Sequence, residues 1–208
     1  MKVVAFCGYS GAGKTTLVEQ LTQRLTLGGQ RVSVIKHAHH DFDIDHEGKD
    51  SWRHRRAGAF EVLIASNRRR ALMREHLAEA EPTLHELINE LTACDWVLVE
   101  GFKHAAVPKI EVWRAANGKP ALYPFDAFVA AVCTDDPAHL PVPTSLPVLA
   151  LDDADAVAAY LLSTSERYDY TAPESTPGTT PANAATPDAD AGRGTRPAPR
   201  GRAATACG

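Results

Sequence analysis

Near the start of the chain, Gly8-Tyr9-Ser10-Gly11-Ala12-Gly13-Lys14-Thr15 matches the pattern GxxxxGK[ST] in full. It follows an apolar run, Lys2–Cys7 (KVVAFC), that reads as a buried strand, and it leads into a segment of helical periodicity. Leu17, Val18, Leu21 and Leu25 share one face of that segment, and Gly28-Gly29 supplies its stop. A strand, a glycine-rich turn and a helix in that order confine the chain to α/β architectures in which a mostly parallel sheet is covered by helices.

Each position in the loop has a chemical reason. Glycines at 8, 11 and 13 let backbone N–H groups converge on phosphate oxygens, and Ser10 and Ala12 are small enough not to obstruct them. The new helix turns its positive end to the same place. Lys14 can reach β- and γ-phosphates as a point charge, the Thr15 hydroxyl suits a bridging Mg²⁺, and Thr16 supports the α-phosphate. The ligand expected is a nucleoside triphosphate. Phosphoryl chemistry also needs a carboxylate near the cation, and Glu100, which closes the apolar run DWVLVE just before Gly101, fills that role. Lys14 and Glu100 are therefore the expected catalytic pair. Asp95 opens the same strand and falls at its far end, some ~16 Å away at about 3.3 Å per residue, where it is structural.

The remaining chain keeps the alternation. Strands are expected at 31–36 (RVSVIK), 60–65 (FEVLIA), 70–73, 95–100, 109–113 (KIEVW) and 128–134 (FVAAVCT). A helix is expected at 83–92 behind a Thr83/Glu86 capping box, and another at 155–162. The fold class is α/β, a P-loop NTPase with a mostly parallel sheet flanked by helices and a strand hairpin extension at 60–73. Residues 1–170 read as one domain. Residues 171–208, rich in Ala, Pro and Thr and without a single Leu, Ile, Val, Phe, Met, Trp or Tyr, read as a disordered tail.

Composition excludes several roles. Lys+Arg is 22 against Asp+Glu 26, a net charge of −4, so nucleic acid is not an expected partner. No apolar run approaches the roughly 20 residues of a membrane span, and the N-terminus lacks the pattern of a secretory signal, which points to the cytoplasm. Cys7, Cys94, Cys133 and Cys207 are scattered with no CxxC and read as reduced thiols.

A second signature follows the second strand: KHAHHDFDID at 36–45, then GKDS at 48–51, Arg53 and AGA at 57–59. With the phosphate loop, VEGFK at 99–103 and PKIEV at 108–112, it resembles the MobB family of molybdopterin-guanine dinucleotide biosynthesis adaptor proteins over roughly residues 1–162. The resemblance implies a weakly hydrolytic GTP-binding homodimer that assists a molybdopterin guanylyltransferase-type enzyme, with molybdopterin itself as a further candidate ligand. It implies nucleotide contacts at Gly11, Gly13, Lys14, Thr15 and Thr16, and Asp45 or Glu100 beside Mg²⁺. The guanine-reading sequence NKxD is absent, and Asp135, after an apolar strand, is the candidate for guanine N1 and N2. An ordinary capped turn running into Pro137 is the competing reading.

Two polar clusters each admit more than one role. In an extended 37–45 segment His37, His39, Asp41, Asp43 and Asp45 share a side, which suits a switch loop, a transition-metal site or a solvated loop. Arg53, Arg55, Arg56, Arg68, Arg69, Arg70 and Arg74 are the local basic clusters, suited to an anionic ligand, an acidic partner face or plain solvation. A small-molecule kinase and a non-catalytic, nucleotide-gated scaffold are the rival functions.

Overall fold

In the computed structural model the elements run β1 (Lys2–Cys7), α1 (Lys14–Leu27), β2 (Val32–Lys36), α2 (Asp50–Arg56), β3 (Glu61–Ala65), β4 (Arg70–Arg74), α3 (Leu84–Asn89), β5 (Trp96–Glu100), β6 (Lys109–Trp113), β7 (Val129–Thr134), β8 (Val148–Ala150) and α4 (Ala154–Ser163). The residues described are 1–38, 42–76 and 81–173. The tail expected at 171–208 therefore lies, from 174 onward, outside the described residues.

Strand β1 is apolar on both of its faces because both are covered. Val4 and Phe6 join one core cluster with Leu17, Val18, Leu21 and Leu25 of α1 and Val157 and Leu161 of α4. Val3 and Ala5 join a second with Val97, Val99 and the α3 residues Leu84 and Ile88. The period of two along the strand thus separates two helical layers on one sheet. The sheet has six strands in the order β2-β5-β1-β6-β7-β8, with every pairing parallel. Strands β3 and β4 form a separate antiparallel hairpin, as expected of the extension.

Sequence and structure differ at the edges. β8 has three residues and contributes no periodicity to read, and α2 (DSWRHRR) buries no residue, so it has no apolar stripe. The capping box at Thr83 and Glu86 forms in both directions, but α3 ends after Asn89 rather than at Thr92.

Two buried charges sit on β6. Lys109 is 1% exposed and its Nζ donates to Asp126 at 2.7 Å. Glu111 is fully buried and accepts from the backbone N–H groups of Leu122 (2.8 and 3.0 Å) and Tyr123 (2.7 Å). Burial raises its carboxyl above the ordinary glutamate value, with those amides pulling the other way. Together the two side chains pin the 121–126 loop to the sheet. Among the described residues Cys7, Cys94 and Cys133 form no disulfide, and desolvation raises the Cys7 and Cys133 thiols to about 12. No helix there is long and apolar enough to cross a membrane.

Candidate functional site

In a parallel sheet the carboxyl ends of all strands share one edge, and ligands collect there. The β1 end passes directly into the 8–15 loop. Gly8 has φ +131, and a Cβ placed on it would lie 2.2 Å from the Val112 carbonyl oxygen of β6, so only glycine fits. Gly13, at φ +100, is the N-cap of α1 and offers no side-chain cap, which leaves the first-turn N–H groups turned to the loop. Lys14 Nζ donates to the Tyr9 carbonyl at 2.9 Å, across the loop's mouth. Partial burial lowers the Lys14 pKa, and the nearby Glu100 carboxylate partly offsets this.

The β5 end brings in the acid. Register pairs Glu100 with both Phe6 and Lys36, so its carboxylate stands beside the loop and beside β2. Thr15 Oγ1 donates to Glu100 Oε1 at 2.6 Å, and Glu100 Oε2 lies 3.5 Å from Lys36 Nζ. A hydroxyl and a carboxylate in contact are a hard-oxygen pair of the kind Mg²⁺ takes. Gly101, at φ +103, follows because a Cβ there would come within 2.8 Å of His37 Cβ. A cavity of about 540 Å³ beneath the loop is lined by Gly13, Lys14, Thr15, Thr16, Glu100 and Arg114, among others.

Arg114 and Asn117 enter this site without having been singled out in the sequence. Asn117 Nδ2 donates to the Ser10 carbonyl at 3.4 Å. Arg114 approaches within 3.7 Å of where a Gly13 Cβ would stand, and its Nε lies 3.3 Å from Asp135 Oδ2. Asp135 is thus brought to the loop's flank through Arg114. The capped turn is present as well: Asp136 N donates to Thr134 Oγ1, and His139 pairs with Asp136 rather than with Asp135.

The second signature divides. His37 Nε2 pairs with Glu81 at 2.8 Å, while Asp43 and Asp45 turn to Arg55. Asp45 Oδ1 accepts from Ser51 Oγ (2.9 Å) and Oδ2 from Arg55 Nε (3.3 Å), so its carboxylate belongs to this network, whereas Thr15 and Glu100 meet each other. Arg55 also binds Glu75 at 3.0 Å, and its hydrogen bonds hold Asp43 below the ordinary aspartate pKa. Arg74 is taken up by Glu61 and Glu90. His39, His40 and Asp41 lie outside the described residues, and among the described ones no three His, Cys, Asp or Glu converge on a metal position.

A parallel sheet whose central strand feeds a phosphate loop, with an acid at the end of its neighbour, defines a P-loop NTPase-like α/β protein. Crystal structures of MobB proteins have this fold: the Bacillus subtilis MobB aligns over 82% of this chain and all of its own at TM-score 0.62 and 24% identity. The MobB homolog from Bacillus stearothermophilus aligns over 78% of this chain and 97% of its own at TM-score 0.58 and 25% identity. The family model for Molybdopterin guanine dinucleotide synthesis protein B matches residues 3–135. The Molybdopterin-guanine dinucleotide biosynthesis adapter protein of Escherichia coli (strain K12) is 39% identical over 163 residues, 77% of this chain and 91% of that protein. Its Haemophilus influenzae counterpart is 44% identical over 140 residues, 66% and 77% of the two chains. The chain belongs to the MobB family.

Proposed function

We propose that this protein is a GTP-binding adapter of molybdopterin guanine dinucleotide biosynthesis with slow GTPase activity, acting in the cytoplasm as a homodimer beside a molybdopterin guanylyltransferase-type enzyme. The observation that carries the nucleotide reading is the Thr15–Glu100 contact at 2.6 Å directly under a complete phosphate loop. Thr15 and Glu100 would hold Mg²⁺. When bound, the cation neutralises charge on the β- and γ-phosphates. Lys14 leaves the Tyr9 carbonyl for the same oxygens, and the first-turn amides of α1 take the phosphate chain. Asp135 reads guanine by accepting from N1 and N2, oriented by Arg114. Dimer contacts fall on the β3–β4 hairpin, where Leu63 (62%) and Leu72 (48%) are exposed.

Calorimetry of GTP against ATP with Mg²⁺, on wild type, Lys14→Ala and Asp135→Ala, with phosphate release assayed on the same samples, tests the reading. GTP preference in the wild type, weakened binding of both nucleotides by Lys14→Ala, loss of the preference in Asp135→Ala and slow release together support it. ATP preference with fast turnover would replace it by a small-molecule kinase, and unchanged assistance of the partner enzyme by Lys14→Ala would replace it by the scaffold. Light scattering that finds a monomer would remove the dimer.

A further inference from the structure

A second, larger cavity of about 800 Å³ opens on the far side of Lys14, within the size range of small-molecule sites. It shares Ser10, Lys14, Lys36 and Glu100 with the phosphate cavity, so the two spaces meet at the loop lysine. Arg114 lines only the first. The loop, the β2 and β5 ends and the start of α3 all contribute walls to the second.

Its chemistry differs from that of the phosphate cavity. One wall is a pair of stacked rings, His37 on Phe102, with centroids 4.6 Å apart and planes 27° from parallel. Leu84, Ala105 and Leu122 add aliphatic surface. The charges facing it are the cations Lys14, Lys36 and Lys103 and the carboxylates Glu81 and Glu100. Both carboxylates are engaged, Glu81 by His37 and Glu100 by Thr15 and Lys36. Lys103 is exposed, at the cavity's rim.

Phe102 is also the only non-glycine among the described residues with positive φ, at +48. An aromatic residue rarely adopts that conformation, and such strain gathers where a side chain must be presented to a ligand. Here it swings the ring against His37, and a turn in which Ala105 N donates to the Phe102 carbonyl at 2.9 Å closes behind it.

We propose that this cavity is a second ligand site, built for a planar heterocycle with an anionic substituent. The ring lies against the His37–Phe102 wall and its anion meets Lys103 and Lys36. A flat π-face, apolar floor and cationic rim are the features such a molecule needs. A pterin phosphate belongs to this class, so the inference extends the adapter reading by giving the pterin a place next to the nucleotide; it rests on that reading only for the nucleotide's occupancy of the phosphate loop.

The probe is 6-carboxypterin, a fluorescent planar anion, titrated into the 208-residue protein with and without saturating Mg²⁺ and GTP. Phe102→Gly removes the ring while relieving the positive φ, and Lys103→Glu inverts a rim charge, so both are expected to fold. Saturable binding of one probe per chain is expected, weakened about tenfold or more in each variant, while a fluorescent GTP analogue binds all three proteins within about twofold. Absence of saturable probe binding, equal binding by all three proteins, or displacement of the probe by GTP would overturn the second site. Loss of the GTP analogue in wild type with the probe still bound would instead overturn the nucleotide proposal and leave this one standing.

Discussion

Gly8→Ala tests the close approach of the phosphate loop to β6. The added methyl would sit 2.2 Å from the Val112 carbonyl oxygen, whereas real Cβ contacts stay beyond 3.0 Å, so something must move by close to an ångström. The carbonyl cannot withdraw easily, because β6 is paired on both sides: Glu111 with Cys7 of β1, and Val112 with Cys133 of β7. Forcing alanine into φ +131 costs about 1–3 kcal/mol, and the overlap adds about 1–3 kcal/mol. Gly29→Ala is the control: its φ is +83, yet nothing lies within 4 Å of the new Cβ, so only the backbone component applies. Gly8→Ala should therefore be the more destabilised of the two by at least the overlap, about 1–3 kcal/mol or roughly 2–12 °C in Tm. Urea unfolding followed by tryptophan fluorescence reports it, since Trp96 is 1% exposed in the core. Equal destabilisation of the two proteins, within about 0.5 kcal/mol, would refute the close approach.

The other predictions concern charges. Glu100→Gln should abolish the Mg²⁺-dependent increment in nucleotide affinity while leaving the cation-independent part, as read by calorimetry with and without chelator; retention of the increment would remove Glu100 from the metal site. Asp126→Ala strands Lys109, 1% exposed, and should cost about 3–5 kcal/mol in urea unfolding, whereas a cost near zero would mean the ammonium finds water. Asp43 is depressed by its Arg55 hydrogen bonds; at Asp45 burial opposes this, but bonds from Ser51, the His46 amide and Arg55 prevail. Depressed carboxylates stabilise the fold fully above the ordinary value of 3.8 and lose that contribution as pH falls through their lower folded values. The amide signals of Asp45 and His46, which donate to these carboxylates, should accordingly titrate only below 3.8, and Arg55→Leu should move the midpoint upward. An unchanged midpoint would take Arg55 out of the network.

Most of the sheet was readable because its strands are buried on both faces and appear as apolar runs, residues 96–99 and 129–133 above all. α1 was readable from Leu17, Val18, Leu21 and Leu25 and the glycines that stop it. β8 and α2 were not, since neither carries a period. Within the site, Lys14, Thr15 and Glu100 follow from a motif and a strand end, which are local features. Arg114 and Asn117 depend on β6 lying next to β1, with Cys7 opposite Glu111, and strand adjacency is a long-range property that no window of sequence contains. The same holds for Arg55, whose partners Asp43, Asp45 and Glu75 come from both sides of it in the chain.

The strand order also governs how the chain must be made. β1 and β2 leave the ribosome before β5, yet they do not pair with each other, because β5 lies between them. Within the six-stranded sheet β1 pairs with β5 and β6 and β2 with β5 alone, and the further bridge from Lys2 runs to Asp169, later still in the chain. Among the described residues these partners begin at Asp95, whose carbonyl accepts from Lys2 N, so at about 5–20 residues per second both strands wait several seconds for Asp95 and Trp96 to be made. During that interval the nascent protein presents the unpaired edges of both strands, the period in which a chaperone would have most to hold.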